Sequence, residues 1–263
     1  MRLYIELAKR SFQRQVAYRG ATIAGFATNL FFGALRASVL LAVLGESSAL
    51  AGYTRLDALT YTALTQALIG VTALWGWFDM IRSIRSGEVA SDLSKPFDYY
   101  GFWLAQDVGR GCYQFAARGV TIMLAFAVIF GVSTPTSPGH WLLAAASLVL
   151  AMLGSFAWRF LVSASAFWLT DAIGFARMAY LLVAFPSGFI VPIAFMPGWL
   201  QEVCRATPFP GLIDTPVTIY LGRARGVEAL SLIGVQAIWV VVLAASGRLL
   251  AEAGRRKLTI HGG

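Results

Sequence analysis

Asn29, Arg36, Gln66, Arg159, Asp171 and Gln236 stand inside or at the edge of long apolar stretches, where a polar side chain is costly. Intramembrane polar groups are by default functional candidates, and the chemistry open to this set is hydrogen bonding and charge pairing. Arg159 and Asp171 carry opposite charges that can pair with each other or with a neighbouring subunit. The competing role of each polar group is a tie between helices. No regular series of carboxylates runs through these stretches, as a proton-coupled pump would need. Covalent and metal chemistry is poorly supplied. The two histidines are His140, in a Pro-Gly turn, and His261, near the C-terminal end, so neither a metal site nor a Ser-His or Cys-His pair is expected. The chain carries no G-x-x-x-x-G-K-[ST] phosphate loop, and the Gly-Ser-Phe-Ala sequence at Ser155 is not a nucleophile elbow. Catalysis by this polypeptide alone is not expected.

The elements that must position these groups are apolar runs at about 21–44, 56–78, 113–132, 141–167, 178–195 and 229–250. A bilayer-spanning helix needs ~20 mostly apolar residues. The third run reaches that length by starting near Cys112 with Arg118 snorkelling, and the fifth is broken by Pro186 and Pro192. An apolar fraction of 58%, a charged fraction of 13% and a mean hydropathy of +0.68 lie far from a soluble domain's mix. Continuous runs of this length also argue against a barrel built from ~10-residue alternating strands.

Basic residues cluster on alternate sides of the runs. Arg2, Lys9, Arg10, Arg14 and Arg19 precede the first, and Arg82, Arg85, Lys95, Arg110 and Arg118 separate the second from the third. Arg159 and Arg177 flank the turn between the fourth and fifth runs, and Arg248, Arg255, Arg256 and Lys257 follow the last run. The opposite loops hold only Arg55, Arg205, Arg223 and Arg225. Positive residues near span ends stay in the cytoplasm, which predicts six crossings of the cell (inner or plasma) membrane with both termini cytoplasmic. Arg36 then lies roughly 15 residues past the cytoplasmic edge, ~22 Å up its helix and within snorkelling reach of the outer interface. Cys112 and Cys204 fall on opposite sides and are not expected to pair. The net charge of +8 is accounted for by loops facing anionic lipid, and no nucleic-acid motif accompanies it.

Residues 1–263 read as a single transmembrane domain. Within 2–19, Leu3, Tyr4, Leu7, Ala8, Phe12 and Val16 recur at helical spacing opposite charged residues, which predicts an interfacial amphipathic helix. In the longest cytoplasmic connection, Ser86 or Gly87 can cap a short helix that carries Glu88 and Asp92 on one face and stops at Lys95-Pro96. The segment 196–228 holds Pro197, Pro208, Pro210 and Pro216 yet is too apolar for a free loop, which predicts short re-entrant helices on the outer side.

These features together resemble the permease subunit of type-2 ATP-binding-cassette (ABC) transporters, the six-span exporter type. The resemblance is carried by the basic amphipathic start ending Tyr18-Arg19, and by Ile84-Arg85-Ser86-Gly87-Glu88 running on to Leu93-Ser94-Lys95-Pro96. The outer segment with Pro197, Thr207-Pro208-Phe209, Pro216 and Tyr220-Leu221-Gly222 adds to it. It implies an all-α permease working with two separate ABC ATPase subunits, which would bind the ATP and Mg, and with a second permease, identical or homologous. No cofactor is implied in this chain itself. It also implies coupling to the ATPase through Arg85, Gly87, Glu88, Val89, Asp92, Leu93, Lys95 and Pro96, with Val89 and Leu93 as an apolar knob. Trp199, Pro208, Phe209 and Pro216 would form an outer gate, and spans one, two and five would line the path.

Three rival readings compete with this one. An ATPase-independent transporter or channel would show midplane charges and broken helices in matched halves. A membrane-embedded enzyme would need a cluster of His, Asp, Glu or Cys at one depth. The third rival is a non-transporting scaffold. The aromatic residues Phe31, Phe32, Trp75, Trp77 and Phe78 suit a lipophilic or amphipathic cargo, although such residues at span ends also form interface belts.

Overall fold

The computed structural model describes residues 2–17, 19–45 and 49–257, so Tyr18 and His261 lie outside the described residues. In chain order the helices are α1 (Arg2–Ala17), α2 (Arg19–Leu44), α3 (Arg55–Thr72), α4 (Asp79–Ser86), α5 (Val89–Ser94) and α6 (Tyr99–Gln114). Then come α7 (Val120–Ile129), α8 (Pro138–Ala164), α9 (Ala172–Ala184), α10 (Gly198–Arg205), α11 (Asp214–Tyr220) and α12 (Gly226–Arg255). The described residues contain no strand, only one isolated bridge between Leu50 and Tyr53.

Among the described residues, four helical stretches are long and apolar enough to cross a membrane: Thr22–Leu44, Tyr99–Ile129, Pro138–Phe167 and Gly226–Arg255. The second of these corrects the expected span at 113–132. It begins at Tyr99 and joins α6 to α7 through a π-helical turn, Phe115–Gly119. Asp107, Arg110 and the glycines of 101–111 lower its local hydropathy and make it read as loop. In the fold Asp107 is buried, and Gly109 and Gly111 sit in close helix contacts.

The expected spans at 56–78 and 178–195 are each part helix and part irregular chain. Helix α3 has the length, at ~27 Å, but carries Thr60, Thr62, Thr65 and Thr72. It can be that polar because other helices cover it, leaving Tyr61, Ala63, Gln66 and Leu68 buried on its different faces. Thr60, Thr62 and Thr72 turn their hydroxyls back onto carbonyls four residues earlier, which hides them from apolar neighbours. A capping box formed by Thr54 and Asp57 starts the helix, and Ala73 in the left-handed region ends it. Helix α9 stops at Ala184, two residues before Pro186, as a proline's missing N–H requires.

Helix α1 lies along α6, with the apolar side chains of Leu3 and Ile5 exposed on two different sides of it. Ser11 donates to the Gln106 carbonyl at 2.6 Å, the Asp98 N–H donates to the Tyr4 hydroxyl at 3.2 Å, and Phe12 meets Tyr113 edge-on at 5.5 Å. The approach needs Gly109, because a Cβ there would run into the Ala8 backbone. Gly109→Val should therefore lever α1 off α6 at a cost of about 1–3 kcal/mol. Faster proteolysis within α1 of the purified protein would reveal it, and unchanged protection would contradict the packing. Helix α12 runs along α8, tied by Gln236, which accepts from Ser147 Oγ at 2.7 Å and donates to the Gly211 carbonyl at 2.7 Å.

Candidate functional site

A cavity of about 630 Å³ opens between α2, α3 and the α6–α7 helix. Helix α2 supplies a stripe at helical spacing, Gly25, Thr28, Asn29, Phe32 and Arg36, while Gln66 and Gly70 of α3 face it. Arg110, Gln114 and Arg118 enter from the opposite side. The wall is completed by the irregular segment after α3, with Trp75 and Trp77, and by Phe189 after α9. In both places the non-helical backbone lines a cavity, the condition under which irregular chain is tolerated inside a membrane protein.

At the Phe189 end, Arg36 turns inward instead of snorkelling. It donates to Thr65 Oγ1 at 3.1 Å, to the Phe189 carbonyl, and to the Ile190 carbonyl at 3.3 Å. Its guanidinium also stands over the Phe189 ring, 4.4 Å from the centroid, and Trp75 meets the same ring edge-on at 5.4 Å. Phe189 is held in turn by α3 and the chain after α9. The single Tyr61 hydroxyl proton is shared between the Gly188 carbonyl at 2.6 Å and Asp214 Oδ1 at 3.2 Å, and the same carboxylate accepts from the Ile193 N–H at 3.3 Å. Burial pushes the Asp214 carboxyl above the usual carboxylate range.

Below Gln66, α3 ends with carbonyls that have no helical partner. Arg110 donates to the Gly70 and Val71 carbonyls at 2.6 and 2.9 Å, and Ser155 Oγ donates to the Thr72 carbonyl. Asp107 holds this arrangement. It accepts from Arg110 Nε at 2.8 Å and from both terminal nitrogens of Arg159 at 3.0 and 2.8 Å. The partner of Arg159 is thus Asp107, which was not among the sequence candidates. Asp171 instead caps α9 by accepting from the Gly174 N–H at 2.9 Å.

In the block that follows α3, Gly87 (φ +82°) ends α4 in the left-handed region, and α5 begins at Val89 and ends at Ser94 with Lys95 extended before Pro96. Arg85, Ser86, Gly87, Glu88, Ala90 and Ser91 are exposed. Asp92 and Lys95 pair at 2.9 Å. Val89 is fully buried in a cluster with Ile81, Ile84 and Trp103, so it anchors the block from beneath and offers no knob; Leu93 is half-buried at the rim.

The proposed gate residues lie apart from the cavity. Trp199 is exposed at 68%, Phe209 meets Trp158 edge-on at 5.1 Å, Pro216 is buried in α11, and Pro208 lines a separate cavity of about 420 Å³. Residues 32–262 match the family model described as ABC-2 family transporter protein. The chain belongs to the ABC-2 transporter family. No curated protein and no solved structure matches it.

This ABC-2 permease is a multi-pass membrane protein, and its cavity brings together Asn29, Arg36 and Gln66 of the sequence candidates while leaving Arg159 and Asp171 outside the lining. Phe32, Trp75 and Trp77 face the cavity, whereas Phe31 does not, and Phe78 packs on Tyr180. Asp107, Arg118 and Phe189 were missed as site residues. The available signal was the Asp107–Arg110 spacing of three and the Arg110–Gln114–Arg118 spacing of four, both of which put charge on one helical face.

Proposed function

We propose that this ABC-2 permease is the membrane half of an ATP-driven exporter, with two ATPase subunits in the cytoplasm and a second permease, identical or homologous, beside it. In this reading the chain crosses the membrane six times with both termini inside. The α3–α4 stretch and α9 with the chain beyond it serve as the second and fifth crossings. The observation that carries the reading is the cytoplasmic block at 85–91, exposed on one side and anchored by buried Val89 on the other. Such a block can transmit force to the core when a partner grips it.

Closure of the ATPase pair on ATP would push α5 against the α4–α8 core, shifting the population between inward- and outward-open states. The latch of Arg36 on Phe189 closes the outer end of the cavity in the state described, and its release belongs to the outward-open state. Purification of the full chain from its native membrane in mild detergent should bring down a soluble subunit with a phosphate loop. Recovery of the chain alone, together with transport that survives ATP depletion, would overturn the reading. A second reading, transport without an ATPase, draws on the broken segments at 73–78 and 185–192, which meet at the cavity as secondary-transporter half-helices do. The same purification separates the two.

A further inference from the structure

Arg36, Arg110 and Arg118 line the cavity, and no Asp or Glu does. Arg110 is spent on Asp107 and on the end of α3. The other two have no ion pair among the described residues: Arg36 bonds a hydroxyl and two carbonyls, and Arg118 bonds only Gln114 Oε1, at 3.3 Å, with its Nε unpartnered. Snorkelling does not account for Arg118. It sits in the π-helical turn near the middle of the Tyr99–Ile129 span, with its guanidinium laid against Gly25 of α2. A π turn in a long helix commonly marks a functional position, because it re-aims a side chain at the expense of regular hydrogen bonding. Gln66, 2% exposed, is a further lining residue, and its buried Oε1 has no hydrogen-bond partner among the described residues.

A half-buried guanidinium without a counter-charge, at the wall of a mostly apolar cavity, attracts an anion that can reach it. We propose that this cavity receives an anionic amphiphile, its negative group at Arg118 and its apolar or aromatic body against Phe32 and Trp75. Arg36, ~16 Å further along α2 from Gly25, is the second cationic station on the way out. The proposal rests on the permease reading above and adds the charge class of the cargo. The anionic group is a phosphate, sulfonate or carboxylate, and it can arrive on a membrane lipid or on a free amphiphile.

The test uses the full chain, with whatever subunits co-purify, in phosphatidylcholine nanodiscs without ATP. Equilibrium dialysis would compare naphthalene sulfonate, naphthalene sulfonamide and naphthylmethylammonium, with empty nanodiscs subtracted. The sulfonate should bind about tenfold more tightly than the sulfonamide, and the ammonium most weakly. Arg118→Gln should bring the sulfonate and sulfonamide together, mainly by weakening the sulfonate. Arg118→Lys should keep the preference. If Arg118→Gln also loses the sulfonamide, the wild-type ranking and its retention in Arg118→Lys decide the matter. Equal binding of all three by the wild type, a preference for the ammonium, or a sulfonate preference intact in Arg118→Gln would overturn the proposal. Displacement of the sulfonate by added phosphatidylglycerol would identify a lipid as the source, and no displacement a free amphiphile. Because no ATP enters this measurement, a failed ranking sinks the charge selectivity alone, whereas purification of the chain without an ATPase sinks the exporter reading alone.

Discussion

Asp107→Asn should destabilise the folded protein by about 3–5 kcal/mol, the range for leaving a buried charge without its partner. The substitution is nearly isosteric, so the loss is electrostatic rather than steric. In the native chain one carboxylate, with 0% of its side chain exposed, faces Arg159 at 2.8 Å and Arg110 at 2.8 Å. An asparagine keeps one acceptor and turns its amide N–H groups toward guanidinium donors, leaving two cations without a counter-charge. The effect should spread to the end of α3, since Arg110 bonds the Gly70 and Val71 carbonyls and Ser155, bonded to Arg159 at 3.3 Å, holds that of Thr72. Thermal unfolding in detergent, with the fraction reaching the membrane as a second readout, would measure it. Adding Arg159→Met to Asp107→Leu should recover part of the loss, because an apolar pair can replace a buried ion pair at little cost. Wild-type stability in Asp107→Asn would show that the charges are solvated and that the cavity reaches them as open water.

The second large effect is expected at the coupling block. Glu88→Lys together with Leu93→Asp should reduce transport by roughly thirtyfold or more, the weight of one interface hot spot, while membrane insertion stays intact and ATP hydrolysis continues uncoupled. Glu88 is exposed and bonded to α5 only through its backbone, so its reversal changes the surface a partner would meet and little else. Leu93 is the apolar residue left at the rim once Val89 is committed to the core. Val89→Asp serves as the contrast: it should lower expression and stability because it places a charge among Ile81, Ile84 and Trp103. Normal transport by the Glu88–Leu93 double variant, with the ATPase still bound, would remove the block from the coupling path.

Much of the architecture was legible along the chain because its signals are local. Long apolar runs, the Lys95-Pro96 stop and the proline breaks after α9 each depend on a few neighbouring residues, and helices stand at Arg19–Leu44, Pro138–Ala164 and Gly226–Arg255, where three of the apolar runs lie. Hydropathy failed where a helix is covered by protein rather than lipid. Helix α6 and helix α3 can carry charge or threonine only because α1, α2, α7 and α8 shield them, and no window along one segment reports that cover.

By itself the sequence determined a helical membrane protein and a short helix ending before Pro96, since composition and periodicity follow from what water and lipid each exclude; the motifs at 84–96 and 197–222 carried the resemblance to the ABC-2 family. Tertiary structure alone decided that Arg159 meets Asp107 and not Asp171, that Val89 points inward, and that Arg36 and Arg118 share a cavity with no carboxylate among its lining residues. Those outcomes depend on which helix faces which at a sequence separation of tens of residues. Charge and hydrogen-bond partners there are chosen by packing, and packing leaves no periodic trace in the chain.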